Sequence, residues 1–202
     1  MATTGLCLGI DLGTTSVKVS LLDITSKNFI FSTAEPTNAD VDVEGQRSEQ
    51  DVSKIMQAVC TCLTRITNKN RACVKCISVS GQMHGVLLWN NDLQSSLEDG
   101  KLTVCNASNI ITWQDRRASC EYISTLPKPD SHQNLAAGFG CVTLFWMAQF
   151  EPEKLVQYNT AGGIMDYMVV LLCGLDKPVM SDQIASSWGY FCSETSTWNT
   201  QM

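Results

Sequence analysis

One carboxylate and two hydroxyl side chains lie within a five-residue stretch near the start of the chain. Asp11 ends a short apolar run, and Gly13, Thr14 and Thr15 follow it before apolar and polar residues begin to alternate. This pattern predicts two antiparallel strands joined by a tight turn. Such a turn can gather a carboxylate, hydroxyl groups and backbone N–H donors around one point, and these groups suit a metal-bound phosphate. Because Gly-Thr-Thr is also common turn chemistry, an ordinary hairpin is the alternative interpretation.

A second polar segment, Ser80-Gly-Gln-Met-His-Gly85, follows a predicted strand. Side chains at the carboxyl end of a strand lie where α/β sheets usually bind ligands. Gly81 and Gly85 let the backbone bend, while Gln82 and His84 offer an amide and an imidazole suited to sugar hydroxyls. The alternative is a strand–turn–strand with a structural histidine, and the flanking glycines favour ligand contact instead.

The composition limits which classes of function are open. The chain has 202 residues, 44% of them apolar and 17% charged, so it can bury a proper core. A net charge of −6 and a pI near 4.8 argue against nucleic acid as a partner. No signal peptide is visible at the start, and the longest apolar run, Met168 to Leu175, is too short to span a bilayer. These features predict a soluble cytoplasmic protein that does not contact a membrane.

The cysteines raise the question of a zinc site. Among ten cysteines, Cys60-x-Cys62 and Cys73-x-x-Cys76 have the closest spacing. The first pair falls in a predicted helix, where residues two apart face different directions. The second pair leads into a predicted buried strand, where thiols act as small apolar groups. We therefore expect free, buried thiols and no metal at these positions.

The periodicity of apolar residues predicts an α/β fold with a mixed sheet covered by helices. A three-stranded antiparallel meander is expected first, and a capping box at Ser48 and Asp51 is expected to start the helix that follows. Asn91–Asn109 is predicted to be an insertion loop, and Ser181–Trp198 short strand and turn material. The predicted strands are Leu6–Asp11, Ser16–Asp23, Asn28–Ala34, Val74–Ser80, Val86–Trp89 and Ile110–Trp113. The predicted helices are Gln50–Ile66, Asp115–Leu126, Cys141–Phe150, Glu153–Tyr158 and Gly163–Cys173.

Several segments resemble one family of enzymes. Leu8–Asp23 resembles the first phosphate motif shared by sugar kinases, chaperones and actin. Ser80–Gly85 is typical of the pentulose and heptulose branch of the FGGY family of carbohydrate kinases. Thr112–Arg117, Ala137–Trp146 and Met180–Phe191 resemble the heptulose kinases of that branch in particular. The resemblance covers essentially the whole chain.

The resemblance implies a ribonuclease-H-like domain of the actin-like ATPase type and an ATP-dependent transfer of phosphate to a small ketose. It implies that Asp11 holds Mg²⁺ through water, and that Gly13, Thr14 and Thr15 lie near the transferred phosphate. Lys18 could reach phosphate oxygens, or it could be a solvated strand lysine. The expected contacts to the ketose are Gln82, Met83, His84, Trp113 and Asp115.

Two residues of Trp113-Gln-Asp-Arg-Arg117 leave the implied roles open. Arg116 stands where the heptulose kinases commonly have glycine, and in this respect the segment is closer to glycerol kinases. The glycerol branch lacks the Gly-Gln-Met-His-Gly loop, which favours a ketose. For Asp115, a place at a helix start, where an acid is favourable to the helix dipole, is the alternative to substrate contact.

The catalytic base implied by the resemblance is an aspartate in a Gly-Asp motif, and no Gly-Asp pair occurs in this sequence. We therefore expect residues 1–202 to be an incomplete N-terminal, sugar-binding domain. The base and the ATP-binding domain are expected beyond Met202, and this chain alone is expected to be inactive. A xylulose or ribulose kinase, and a truncated isoform that binds sugar or a partner without turnover, remain as alternatives.

Overall fold

The computed structural model describes residues 5–90, 97–98, 101–102, 106–130 and 133–199. The chain divides into two compact units. Unit 1 takes its residues from Met1–Ala39, Val52–Gly81 and Gln94–Cys105, and unit 2 from Asp40–Asp51, Gln82–Leu93 and Asn106–Met202. Unit 1 contains the predicted phosphate hairpin, and unit 2 contains the predicted sugar-binding residues.

The elements are numbered along the chain. The strands are β1 (Leu6–Leu12), β2 (Ser16–Asp23), β3 (Phe29–Pro36), β4 (Asp40–Val41), β5 (Glu49–Gln50), β6 (Val74–Gly81), β7 (Leu87–Trp89), β8 (Leu97–Glu98), β9 (Lys101–Leu102), β10 (Ile110–Ile111), β11 (Thr160–Gly162), β12 (Phe191–Cys192) and β13 (Thr197–Trp198). The helices are α1 (Val52–Thr64), α2 (Asn68–Arg71), α3 (Cys120–Thr125), α4 (Gly140–Phe150), α5 (Pro152–Leu155), α6 (Ile164–Cys173) and α7 (Asp182–Ser186).

Unit 1 is built on a four-stranded mixed sheet in the order β3-β2-β1-β6. Strand β1, predicted from an apolar run, buries Leu6, Leu8, Ile10 and Leu12, while the residues between them are only partly buried. Helix α1 packs against β2 and β3 through its apolar side, as its helical spacing predicts. The predicted antiparallel meander and the helix after it are confirmed.

Strand β6 pairs in parallel with β1 and lies at the edge of this sheet. The prediction that it is buried is wrong, because Lys75, Cys76, Ile77 and Ser78 are exposed. Cys76 is therefore exposed and not a buried thiol. A strand with only one neighbour lacks the cover that an interior strand receives from both sides.

The remaining cysteines of the two closely spaced pairs lie inside unit 1. Cys60 and Cys62 are buried in α1, as predicted, whereas Cys73 is half-buried just before β6. The described part of the chain holds nine cysteines, and all of them are free thiols.

The capping box predicted at Ser48 is also wrong. The Ser48 hydroxyl is hydrogen-bonded to the hydroxyl of Thr112, with 2.7 Å between the oxygens. Two residues of strand follow Ser48, and α1 begins only at Val52. The polar residues that looked like a helix start therefore tie β5 to the segment after β10.

Unit 2 is formed by short strands and helices around an apolar cluster. Strands β10, β5 and β4 form one sheet, and β11 pairs with β7. The cluster contains Val86, Leu88, Ile111, Met147 and Trp188, all of them buried. It joins the segment after the second polar motif to α4 and to the segment after α7.

The helices of unit 2 differ from the predictions mainly at their ends. Helix α3 begins at Cys120, where the Ser119 hydroxyl accepts a hydrogen bond from the backbone N–H of Tyr122. Asp115 is therefore not at a helix start, and the alternative role for it, an interaction with a helix dipole, is wrong. The tail, predicted as strands and turns, also contains the short helix α7.

Two further expectations concern the predicted insertion loop and the absence of a helix that could span a membrane. Within the predicted insertion loop Asn91–Asn109, β8 pairs with β9, while residues 91–96, 99–100 and 103–105 lie outside the described residues. Over the ranges that the structure covers, each helix is too short or too polar to cross a lipid bilayer.

Candidate functional site

The turn between β1 and β2 is held by a residue that follows β3. The backbone N–H of Thr37 donates to the carbonyl oxygen of Thr15 at 3.0 Å, and its hydroxyl donates to the carbonyl oxygen of Thr14 at 3.1 Å. At Gly13, a Cβ would lie only 2.8 Å from the carbonyl oxygen of Ser16. A larger residue at position 13 would therefore force this turn open.

Asp11 lies beside this turn and has two neighbours in unit 1. The Ser80 hydroxyl donates a hydrogen bond to one carboxylate oxygen at 3.2 Å, and the Lys18 ammonium lies 3.6 Å from the other. Strand register creates this arrangement, because Asp11 is opposite Lys18 on β2 and opposite Ser80 on β6. The side chains of Lys18 and Asp11 are 62% and 42% exposed, so both can meet a ligand.

These residues line an open groove of about 520 Å³ on the face of the unit 1 sheet. Gly9 and four serines form half of its wall, and these small residues leave the backbone accessible there. The wall consists of Gly9, Ile10, Asp11, Lys18, Val19, Ser20, Phe29, Ser32, Ser78 and Ser80. A groove of this volume is in the range of small-molecule sites.

The groups around Asp11 fit a magnesium ion that is bound mainly by phosphate and water. Among the described residues, no three His, Cys, Asp or Glu side chains are grouped closely enough to hold a metal ion by themselves. Mg²⁺ commonly keeps several waters and takes only one or two carboxylates together with substrate phosphates. One exposed carboxylate with a serine hydroxyl beside it suits that mode of binding.

The second polar motif forms a strained turn in unit 2. His84 has a φ of 69°, in the left-handed region that non-glycine residues seldom adopt. The backbone N–H of Gly85 donates to the carbonyl oxygen of Met83 at 2.8 Å, which closes a three-residue γ-turn around His84. A γ-turn with positive φ is rare, and strain of this kind persists only where the surroundings enforce it.

Two contacts from distant parts of unit 2 hold the His84 ring. Its Nδ1 lies 2.7 Å from the carbonyl oxygen of Ser187. The ring also stacks on Phe139, with 4.7 Å between the centroids and an angle of 2° between the planes. Phe139 directly precedes α4, and Ser187 directly follows α7.

Gln82 is only 8% exposed, and its amide is half satisfied. Its Nε2 donates to Oε1 of Gln50 at 3.1 Å, and Nε2 of Gln50 donates to Asp40 at 2.8 Å. Oε1 of Gln82 has no hydrogen-bond partner among the residues described. A buried polar atom without a partner is costly, so this oxygen is suited to meet a ligand.

The Trp113 segment lies against the Gln82–Gly85 loop. Val86 and Ile111 exchange backbone hydrogen bonds of 2.9 Å, which sets the two segments side by side. A Cβ at Gly138 would lie 2.3 Å from the Trp113 carbonyl oxygen, so the segment before Phe139 approaches from another side. The Trp113 side chain is 43% exposed, and Met83 is half-buried. An exposed aromatic face next to polar groups suits the apolar side of a sugar ring.

Asp115 has a different setting from the other predicted sugar contacts, because it is 1% exposed and fully engaged. It accepts hydrogen bonds from the backbone N–H of Ser48 at 2.8 Å and from Arg117 Nε at 2.9 Å. Arg117 also donates to Glu49 at 2.7 Å. Burial alone would lower the pKa of Arg117, but its hydrogen bonds to Asp115 and Glu49 outweigh burial and raise it. Contact between Asp115 and substrate stays a prediction, and it would require Arg117 or Ser48 to give up a hydrogen bond.

The structure thus groups the predicted residues within each unit. Asp11, Gly13, Thr14, Thr15 and Lys18 lie together in unit 1. In unit 2, Gln82, Met83 and His84 lie beside the Trp113–Asp115 segment. Their roles in binding stay predictions.

Sequence reasoning missed three residues that contact these groups: Ser80 as a partner of Asp11, and Phe139 and Ser187 as partners of His84. For Phe139, the glycines on either side of it were a usable signal, since they allow close approach of the backbone. For Ser80 and Ser187 the sequence offers no comparable signal.

Comparison with known proteins identifies the family. The profile described as the FGGY family of carbohydrate kinases, N-terminal domain, matches residues 6–202. Sedoheptulokinase of Homo sapiens is 43% identical over 100% of this chain and 45% of its own length. Sedoheptulokinase of Mus musculus is 44% identical over 98% of this chain and 44% of its own length. The chain thus spans less than half the length of these relatives.

The crystal structure of Plasmodium falciparum glycerol kinase with ADP is similar to this chain, with a TM-score of 0.78 and 19% sequence identity. The match covers 98% of this chain and 40% of the glycerol kinase chain. A likeness at this level of identity shows the fold alone, and it confirms the predicted α/β fold of the actin-like ATPases. The profile match and the fold agree with each other. This chain belongs to the FGGY family of carbohydrate kinases.

Proposed function

We propose that the complete protein transfers the γ-phosphate of ATP to sedoheptulose and forms sedoheptulose 7-phosphate, which would supply the pentose phosphate pathway. The observation that carries this proposal is that polar residues at and just after the end of β6 lie in both predicted sites. Ser80 donates a hydrogen bond to Asp11, and Gln82 and His84 follow two and four residues later with polar groups suited to a sugar. One continuous segment therefore contributes to both predicted sites. The identity to two sedoheptulokinases supports this ketose.

Phosphoryl transfer depends mainly on positioning and on neutralising charge. Asp11 would hold Mg²⁺ through water, and the ion, when bound, would neutralise charge on the phosphates. The Lys18 ammonium, 3.6 Å from Asp11, would add a second positive charge for phosphate oxygens. The exposed side chain of Thr15 and the backbone N–H groups of the turn would orient the phosphate.

The proposed ketose contacts divide by the kind of group they offer. Oε1 of Gln82 and the ring of His84 would hydrogen-bond to hydroxyl groups, while Trp113 and Met83 would cover an apolar side of the sugar. Asp115 would act on Trp113 by fixing the turn after β10, because the backbone N–H of Asp115 donates to the Thr112 carbonyl oxygen at 3.1 Å. This role differs from the direct contact that the family resemblance implies.

We also propose that the general base and the ATP-binding domain belong to a part of the complete protein beyond Met202. This chain carries no Gly-Asp motif, and it spans 45% of the human relative. Free thiols in the described part of the chain support a reducing, cytoplasmic location.

A xylulose kinase is the second candidate. Xylulose kinase of Staphylococcus epidermidis is 31% identical over 72% of this chain and 28% of its own length. ADP release by the complete protein should be measured with sedoheptulose, xylulose and ribulose at equal concentrations. We expect the highest kcat/KM with sedoheptulose, and a higher value for either pentulose would overturn the assignment of the substrate.

The chain of residues 1–202 can be tested by itself in the same assay. We expect calorimetry to detect binding of sedoheptulose without release of ADP. ADP release that depends on sedoheptulose would show that the base lies within this chain. Absence of sugar binding would refute the proposed ketose site. A naturally truncated isoform that binds sugar without turnover would give the same result as the one we expect here.

A further inference from the structure

The contacts around His84 determine which of its nitrogens carries a proton. Nδ1 lies 2.7 Å from the carbonyl oxygen of Ser187, and a carbonyl oxygen can only accept a hydrogen bond. Nδ1 must therefore carry the hydrogen. In the neutral ring, Nε2 is then left with a lone pair and can only accept.

Phe139 keeps the ring in the plane that makes this hydrogen bond. The two rings are parallel within 2°, with centroids 4.7 Å apart. Rotation of the imidazole about its bond to Cβ would break both the stacking and the alignment of Nδ1 with the carbonyl. The left-handed turn at His84 fixes the direction of the Cα–Cβ bond, and the contacts with Ser187 and Phe139 then leave the ring little freedom.

A second acceptor lies two residues earlier in the same loop. Oε1 of Gln82 is buried and has no hydrogen-bond partner in the part of the chain that the structure describes. The Gln82 amide is held with this oxygen unpaired because its Nε2 donates to Gln50. The loop thus offers two acceptors, Oε1 of Gln82 and Nε2 of His84, while the Gln82 amide nitrogen is already engaged with Gln50.

We infer that Phe139 and Ser187 are positioning residues that fix His84 as the Nδ1–H tautomer, so that the Gln82–His84 loop recognises hydroxyl groups of a polyol by accepting their hydrogens. This inference rests on the proposed function for the class of substrate. It adds that the loop selects hydrogen-bond donors, since a carboxylate or phosphate oxygen would face two lone pairs there. Binding strength should therefore depend on Phe139, which offers the sugar no hydrogen bond.

Nitrogen NMR of the imidazole tests the tautomer without any ligand. The chain contains only two histidines, so H132Q leaves His84 as the single imidazole in the spectrum. In a sample labelled with ¹⁵N-histidine, we expect a protonated Nδ1 and an unprotonated Nε2 at a pH where the ring is neutral. A protonated Nε2 would overturn the inference, whatever sugar the protein binds.

The positioning role is tested by F139L, with F145L as the matched control. Phe145 lies on α4 in edge contact with Tyr190, so the control removes an aromatic ring from the same region. We expect F139L to mix the two tautomers in the NMR spectrum and to weaken sedoheptulose binding by roughly three- to tenfold, the effect of one misplaced hydrogen bond. F145L should change neither. Equal effects of the two variants would refute a positioning role for Phe139.

His84→Gln provides a rescue experiment, because the longer glutamine side chain can place its amide oxygen near the position of Nε2 as an acceptor. We expect H84Q to bind sedoheptulose more tightly than H84A, and equal binding would contradict recognition through an acceptor. If the wild-type chain binds no sedoheptulose, the proposed function fails. The NMR result for wild type and F139L would still decide whether the ring is fixed as inferred.

Discussion

The two units hold their chemically important side chains in different ways. In unit 1, Asp11 and Lys18 face each other because neighbouring strands place them in register, and both side chains are open to solvent. In unit 2, Asp115 and Arg117 are buried and tied to Glu49, which is distant in sequence. Local pairing leaves the charged side chains accessible to solvent, whereas long-range burial fixes the backbone of the segments that the ion pairs join.

This difference predicts a large effect in unit 2. In R117A, Asp115 would remain buried without the guanidinium, and the half-buried Glu49 would lose its ion pair. We expect a loss of about 3–5 kcal/mol in the free energy of unfolding. R65A is the matched control, since Arg65 of unit 1 pairs with Glu35 at a half-exposed position. We expect it to cost no more than about 1 kcal/mol.

Urea unfolding can follow the two variants separately. All five tryptophans lie in unit 2, so their fluorescence reports on that unit, while hydrogen exchange of β1 and β2 reports on unit 1. Similar losses for R117A and R65A would show that burial does not separate the two kinds of ion pair.

The second prediction concerns Asp166, a buried carboxylate of unit 2 that accepts a hydrogen bond from the backbone N–H of Gly163 at 2.7 Å. Burial raises its pKa from 3.8 to about 6, although the Gly163 hydrogen bond opposes the rise. The folded state therefore holds this proton more tightly than the unfolded chain. Its contribution to stability is largest below pH 3.8 and is lost as the pH rises to about 6.

D166N should remove this pH dependence, because the amide keeps an acceptor for Gly163 and carries no charge. We expect the free energy of unfolding at pH 7.5 to rise by up to about 3 kcal/mol, with little change at pH 4. D176N removes the same charge from an exposed position of unit 2 and serves as the control. An equal gain for both variants at pH 7.5 would assign the effect to net charge and not to burial.

The same contrast explains which features the sequence could predict. Strand β1 follows from a short apolar run, β2 follows from the alternation of neighbouring residues, and the Asp11 turn follows from Gly13 and two threonines. The exposure of β6 depends on how many strands lie beside it, which no local pattern records. The prediction of a helix start at Asp115 is wrong for a similar reason, since its partner Ser48 lies more than sixty residues away, as does Glu49, which binds the same Arg117.

Phe139 illustrates the limit for the candidate site. Its segment, Ala137–Trp146, resembles a family of enzymes, but its contact with His84 joins residues more than fifty positions apart. An apolar residue before a helix predicts packing and does not tell which ring it packs on. The polar character of the loop was thus predictable from Gln82 and His84, while the contacts that fix the orientation of the His84 ring were not.

The third prediction measures the strain at His84. Both H84A and H84G remove the imidazole, but only glycine adopts a φ of 69° without steric cost. We expect H84G to be more stable than H84A by about 1 kcal/mol in urea unfolding followed by fluorescence. A pair without positive φ, such as S186A and S186G in α7, should show the opposite order, because glycine weakens a helix. The strain interpretation fails if H84G is the less stable of the two.

The smallest effect on stability is expected for K18A in unit 1. An exposed ion pair is worth little, so removal of the Lys18 ammonium should change hydrogen exchange of β1 and β2 by the equivalent of less than about 0.5 kcal/mol. The same variant should weaken binding of Mg²⁺-ATP in the complete protein, because a phosphate would lose a positive charge that Asp11 cannot supply. K27A, on the turn between β2 and β3, removes a lysine outside the groove and controls for the change in net charge. If K18A destabilises the sheet as strongly as R117A destabilises unit 2, Lys18 is structural. The exposed Asp11–Lys18 pair would then stabilise unit 1 as the buried Asp115–Arg117 pair stabilises unit 2.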